Sequence, residues 1–302
     1  CPSSRCDYCF VAICTAAAAT TVLPVLLSKM LVVYAIASGW VFMVALFMAG
    51  YIPGIMVGLA LMMVFYGYAK IKGYPLAPRL PLSVVFKKVL QAIPSLFLII
   101  LVIGGIVGGI FTPTEAGAIA VVYALLLAVV FYKEVALNAL PGIMLKAAET
   151  TAIVMLLIAA STAMSWLLSF ENIPQTLSNA LLTVSDNPLL ILLLINLLLI
   201  VVGAFLDMTP AVLIFTPIFL PVAMQLGMSE LQFGIMLVLN LSIGLCSPPV
   251  GAVLFITCAI AKTKLENIIK PLLPLYAAMF VVLMLITYVD WFSEALPRAL
   301  GF

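Results

Sequence analysis

The feature that most constrains this 302-residue chain is a series of long, uncharged apolar runs repeatedly interrupted by proline. The stretch 188–206 contains no ionisable side chain at all. A run of about 20 apolar residues is what a helix needs to cross a bilayer core of about 30 Å. Charged residues make up 8% of the chain, where soluble domains carry about 25%. So few charges cannot coat a water-facing surface, and a soluble globular protein is excluded. In lipid, helices satisfy their own backbone hydrogen bonds, so the chain reads as an all-α polytopic membrane protein. The 19 prolines exclude a bundle of unbroken spans, because each proline in a helix interior removes a hydrogen bond.

The clearest candidate spans are 52–69, 92–111, 116–132, 151–170 and 272–289. The stretch 31–48 is apolar around Gly39, while 188–206, 211–226, 231–247 and 249–261 are shorter or broken. Loop charge sets sidedness. Lys70, Lys72, Arg79, Lys87 and Lys88 place 70–90 in the cytoplasm, as do Lys133, Lys146 and the trio Lys262, Lys264 and Lys270 for their loops. The loop 171–187 has Glu171 and Asp186 without a basic residue and is expected outside. An odd number of crossings must then fit into 188–261. The economical solution makes 188–206 and 211–226 a re-entrant hairpin. The pieces 231–247 and 249–261 then form one crossing, broken at Ser247-Pro248-Pro249. Non-helical backbone at membrane depth needs protein or a water-filled cavity around it, and paired breaks point to the binding site of a secondary transporter. Val33 through Pro53 can also be laid on Leu254 through Pro274 at one constant offset; the first copy's loop, 37–49, is uncharged and its mate carries three lysines, which gives the two copies opposite orientation, as in an inverted repeat.

Several chemistries are excluded. Histidine is absent, which removes Ser-His-Asp triads and HExxH zinc sites. No GxSxG or GxGD motif occurs, and Asp207 has no second acid nearby in sequence, so an intramembrane enzyme is not expected. A net charge of +2 gives no reason to expect nucleic acid as a partner. Cys1, Cys6, Cys9 and Cys14 crowd the opening. Without histidine or a second C-x-x-C they are not read as a metal or redox centre. Cys246 and Cys258 read as small packing residues. Residue 1 is Cys rather than Met, and no ordered signal-peptide pattern follows. A fragment or shifted start is expected, with 1–30 an aberrant or remnant segment.

Three places carry candidate chemistry. Asp207, followed by Met208, Thr209 and Pro210, stands at the expected hairpin tip, where an ionised group costs about 2.5–3.5 kcal/mol at membrane depth. It reads either as lining for an ion or substrate site or as the cap of the next helix. Free carbonyls at such a tip suit sodium, because a hard cation prefers oxygen. Ser247-Pro248-Pro249-Val250-Gly251, preceded by Gly244, is either a second coordinating loop or a packing kink. Asn240 and Ser242 are weaker candidates of the kind that often only bond across helices. In Phe111-Thr112-Pro113-Thr114-Glu115-Ala116, Thr112 or Thr114 is placed to cap a helix whose dipole favours Glu115.

Taken together, these motifs resemble the large membrane subunit of TRAP (tripartite ATP-independent periplasmic) transporters. Gly104 through Ala116 is similar to that family's signature. Gly203 through Pro210 with Thr216 through Pro221 is similar to its second hairpin, and Gly244 through Gly251 to its second broken helix. Tyr34-Ala35 and Leu46 through Gly54 match the end of its first repeat. The resemblance covers about 31–302. The family's first hairpin should precede residue 30 and is missing, and Leu26-Leu27-Ser28 stands where the family has Pro-Pro-Ser. Residues 1–27 match nothing in the family. The first repeat is therefore expected to be incomplete. The implied domains are 1–30, then 31–90 as the end of the first repeat and a cytoplasmic connector, then 91–302 as the second repeat.

The resemblance implies an inverted-repeat, elevator-type transporter in the bacterial inner membrane. Its expected activity is sodium-coupled import of an organic acid such as a dicarboxylate or sugar acid. A small membrane subunit and a periplasmic substrate-binding protein are the implied partners. Sodium is the coupling ion, and no other cofactor is expected. The resemblance carries Gly203, Asp207, Met208, Thr209, Pro210, Gly244, Ser247, Pro248, Pro249 and Gly251 over as ion- or substrate-binding residues. It carries Thr112, Pro113, Thr114 and Glu115 over as signature residues. The alternatives are a non-transporting remnant or assembly subunit, and a different sodium-coupled anion carrier.

Overall fold

The computed structural model describes residues 29–39, 43–72, 110–133, 135–172, 176, 187–247 and 266–301. It also describes 93–94, 97–98, 101–102, 104–106 and 108. Among the described residues the structure is helical throughout and contains no strand. The α-helices are α1 (Lys29–Ala37), α2 (Met43–Lys72), α3 (Pro113–Leu126), α4 (Leu140–Phe170), α5 (Pro188–Phe205), α6 (Met208–Gln225), α7 (Glu230–Leu245), α8 (Glu266–Tyr288) and α9 (Trp291–Ala299). Among the described residues, five helical segments are long and apolar enough to cross a membrane, or six if the bent pair α8–α9 counts as one.

The chain divides into two compact units, residues 73–155 and the remainder. In the larger unit α7 is the centre. Every residue from Gln232 to Gly244 is buried, and α7 packs against α5, α6, α8 and α2. The junctions around it follow local rules. Asn187 caps α5 through its side chain, bonding the Leu189 amide at 3.0 Å, with Pro188 at the first helical position. The α6 end closes on Gly227 at φ 89°. There the Met228 amide reaches Ala223 O and the Gly227 amide reaches Met224 O, both at 3.0 Å, the paired bonds of a glycine-terminated helix. Ser229 then caps α7 by accepting from the Gln232 amide at 3.2 Å.

Two expectations need correction. The runs 31–48 and 52–69 divide at Gly39 (φ 88°), not near residue 50. Helix α2 is 30 residues long and passes through Pro53; membrane helices tolerate such a proline where neighbours re-satisfy the freed groups. The span expected at 151–170 begins at Leu140, so Lys146 lies on a helix rather than in a loop. Hydropathy marks only the lipid-matched part, whereas a 31-residue helix is about 46 Å long. Beyond the span expected at 272–289, a further helix, α9, follows α8 at a 60° bend. Its Ser293, Glu294 and Pro297 are buried, Arg298 pairs with Glu294, and α9 packs on α2.

In the smaller unit the first turn of α3 forms a capping box. The Thr112 amide donates to Glu115 Oε2 at 2.8 Å, and the Glu115 amide donates to Thr112 Oγ1 at 3.3 Å. Pro113 occupies the position where a missing N–H costs nothing. The cap is therefore Thr112, not Thr114. Just upstream, the Gly105 carbonyl accepts the amides of Ile110 and Phe111. The Phe111 ring lies where a Gly105 Cβ would stand, 2.3 Å from it. The glycines of the signature thus fold it back onto its own aromatic ring.

Candidate functional site

The helices that lead into the two expected interruptions meet at their last turns. A Cβ built on Gly244 would lie 2.6 Å from both Cα and C of Gly203, so the last turns of α5 and α7 touch main chain to main chain. Only glycine permits this approach on the α7 side. Three residues beyond Gly203 the helix stops at Leu206, and three beyond Gly244 lies Ser247.

Each end leaves backbone oxygen without a helical donor. On α5 the Val202 carbonyl accepts from the Leu206 amide at 2.9 Å. The Leu206 carbonyl faces Pro210 as its fourth residue onward, which has no N–H. It accepts no backbone bond among the described residues. On α7 the Ile243 carbonyl is taken by the Cys246 amide and the Ser247 hydroxyl, and the Gly244 carbonyl by the Ser247 amide at 2.8 Å. The Leu245 carbonyl would look to Pro248 and Pro249, and neither carries an N–H. The two adjoining ends therefore present oxygen of the kind a hard monovalent cation takes from unwound backbone. A negative dipole end on each helix adds to this.

The candidate side chains take different positions. Asp207 stands at the N-cap of α6, yet its carboxylate makes no cap bond and is exposed; the capping alternative is thereby corrected for the side chain. Its backbone carbonyl does accept, from Ala211 N at 3.2 Å. Met208 and Thr209 are buried, and the Thr209 hydroxyl turns to Met30 Sδ of α1 at 3.9 Å. Pro210 is half-buried. Ser247 is half-buried with its hydroxyl donated back to Ile243 O at 2.9 Å, which fixes its orientation and leaves lone pairs available. Pro248, Pro249 and Gly251 lie outside the described residues, as do Cys1 through Cys14, Cys258, Ser28 and the basic stretches 73–92 and 262–264. Thr112 through Glu115 belong to the other compact unit and are described only within it.

Behind the glycine contact lies a buried polar cluster. Asn240 Nδ2 donates to Asn196 Oδ1 at 2.7 Å and to Asn196 O at 3.0 Å. Asn196 Nδ2 donates to Thr287 Oγ1 at 3.2 Å and Leu192 O at 2.9 Å. Gln232 Nε2 donates to the carbonyls of Ile286 and Thr287. These bonds pin α5, α7 and α8 in register, because each lost bond strands a buried polar group. Asn240 thus bonds across helices as expected, while the Ser242 hydroxyl bonds its own helix at Val238 O. Asn196 escaped the sequence reading, although it is the lone amide in the apolar run of α5, and that isolation was its signal. Tyr276, whose hydroxyl donates to the Cys246 carbonyl, and Tyr34, whose hydroxyl donates to Glu230 O at 2.7 Å, gave no such signal.

Long apolar helices packed around a buried central one define an all-α, multi-pass membrane protein. The profile of the family described as "Tripartite ATP-independent periplasmic transporter, DctM component" matches residues 10–292. The chain belongs to this family and is a multi-pass protein of the inner membrane. The match begins inside the stretch that the quoted motifs leave uncovered. Among relatives, an "Uncharacterized protein YgiK" of Salmonella typhimurium is 48% identical over 89% of this chain and 62% of its own. The "C4-dicarboxylate TRAP transporter large permease protein DctM" of Pseudomonas aeruginosa is 37% identical over 85% of this chain and 60% of its own. The "Sialic acid TRAP transporter large permease protein SiaM" of Vibrio cholerae is 38% identical over 84% and 60%. The chain thus spans somewhat under two thirds of the length of these relatives. The last two are named as permeases rather than enzymes.

Proposed function

We propose that this chain is the large permease subunit of a sodium-coupled TRAP transporter that imports an organic acid, such as a dicarboxylate or sugar acid. The main-chain contact of Gly203 with Gly244 carries the reading. It sets two helix ends with undonated carbonyls side by side, the arrangement a sodium ion would use. Leu206 O, Leu245 O and the Ser247 hydroxyl are the described oxygens that fit it. Pro248, Pro249 and Gly251 would complete the loop, and Asp207 would line the approach. The names of the relatives, a C4-dicarboxylate and a sialic acid permease, support an acidic substrate. A small membrane subunit and a periplasmic binding protein would deliver and select that substrate. An elevator motion of the hairpin and broken helix against a scaffold would carry it across.

Uptake by the complete transporter reconstituted in vesicles tests this. Radiolabelled C4-dicarboxylate and sialic acid, each supplied with its cognate binding protein, should accumulate only with an inward sodium gradient. Accumulation that persists when potassium replaces sodium would overturn the proposal.

A further inference from the structure

If the two helix ends hold sodium as proposed above, we infer that Tyr276 is a positioning residue for that site, acting through the carbonyl of Cys246. Its hydroxyl, carried on α8, donates to Cys246 O, in the turn between the glycine contact and Ser247. Cys246 is buried and its amide is already bonded to Ile243 O at 3.1 Å. The turn is thus held from both of its peptide faces. The consequence for the oxygens is specific. Tyr276 engages one lone pair of the Cys246 carbonyl and fixes the peptide planes on either side of it. The oxygens it thereby aims on α7 are those flanking that carbonyl, Leu245 O and the Ser247 oxygens. A carbonyl dipole turns with its peptide plane, so loosening one plane misaims its neighbours.

A second tyrosine provides an internal control. Tyr288, on the same helix, donates to Leu189 O at 2.8 Å. It makes the same kind of bond to the same kind of acceptor. It does so at the opposite end of α5, about 20 Å from Gly203 along the helix axis.

Thermal unfolding of the purified chain in detergent is followed against sodium chloride, with choline chloride holding ionic strength constant. The wild type should show a saturable, sodium-specific rise in Tm. Tyr276→Phe should raise the sodium concentration at half-effect at least threefold, while Tyr288→Phe leaves it unchanged. A Tyr276→Phe midpoint within twofold of wild type, or an equal shift in Tyr288→Phe, would overturn the role of Tyr276 and leave the sodium site standing. No sodium-specific rise in the wild type would overturn both. Where Tyr276→Phe does not fold, 3-fluorotyrosine at position 276 keeps shape and hydroxyl but donates more strongly. It should lower the midpoint, and an unchanged midpoint overturns the assignment.

Discussion

Helices α7 and α4 are both strongly apolar, and they end in opposite environments. Helix α7 is buried on all sides from Gln232 to Gly244. Helix α4 exposes side chain after side chain, Ile143, Met144, Leu145, Met155, Leu156 and Trp166 among them. Hydrophobicity does not separate the two, because lipid is as good a solvent for leucine as a protein core is. What separates them is the content of glycine and amide. Helix α7 carries Gly234 and Gly244, each against another element, and Gln232 and Asn240, each bonded to a neighbour. Gly142 of α4 has open space around it. In this chain the glycines in close backbone or ring contact and the amides bonded across helices, rather than apolar content, mark the core helix.

The sharpest way to break this contrast is Gly244→Leu. Its first carbon already collides with the Gly203 main chain. Overpacking of well-filled cores costs about 1–3 kcal/mol and occasionally more, and here backbone must move. We expect loss of folded protein in size-exclusion profiles; a normal monodisperse peak would count against the contact. Gly234→Ala comes next. The new carbon would stand 2.4 Å from the Tyr34 ring, and the ring is tethered by its bond to Glu230 O. A loss of about 1–3 kcal/mol is expected from overpacking, read as a lower Tm in detergent, and an unshifted Tm would show that the ring swings clear.

The amide pair should lose a smaller amount. Asn240→Leu leaves Asn196 Oδ1 without its donor, at about 1–3 kcal/mol for a stranded buried group. Asn196→Leu added to it should cost less than the sum of the singles, and strict additivity in the double-mutant cycle would remove the pair from the account. Thr112→Ala, in the exposed cap of α3, should cost about 0.5–2 kcal/mol. Thr112→Ser should restore it, and a Ser variant as unstable as Ala would argue that the capping box is not the cause. The smallest effect is Gly117→Ala in α3, where a Cβ meets nothing within 4 Å. Alanine there should be neutral or stabilising by up to about 1 kcal/mol. A destabilised Gly117→Ala would mean that the exposed face of α3 is packed against something else.

Much of the site could be read from the residues, and the reasons differ by residue. The boundary between α5 and α6 was legible because Asp207 and Pro210 interrupt an otherwise apolar pattern, and α6 begins at Met208 between them. The cap at Thr112 was legible because a hydroxyl, a proline and an acid stand at capping-box spacing. The Gly203–Gly244 contact was legible only as two separate breaks, since glycine announces close approach without naming its partner. Tyr276 was not legible, because an aromatic residue in an apolar helix resembles every other core aromatic until its acceptor is known. Helix α9 was missed for another reason. It is short and carries Asp290, Glu294 and Arg298, so a search for lipid-length runs passes over it, although it buries one face on α2.

The Tyr34–Glu230 bond joins residues 196 positions apart in the chain. At a synthesis rate of about 5–20 residues per second, α1 leaves the ribosome about 10–40 s before the carbonyl that receives its hydroxyl is made. During that interval a tyrosine destined for a dry interior must wait in lipid or in the insertion machinery with its hydroxyl served by something else. Assembly of this bundle is therefore a matter of late arrival, with α1 kept in waiting until α7 completes its berth.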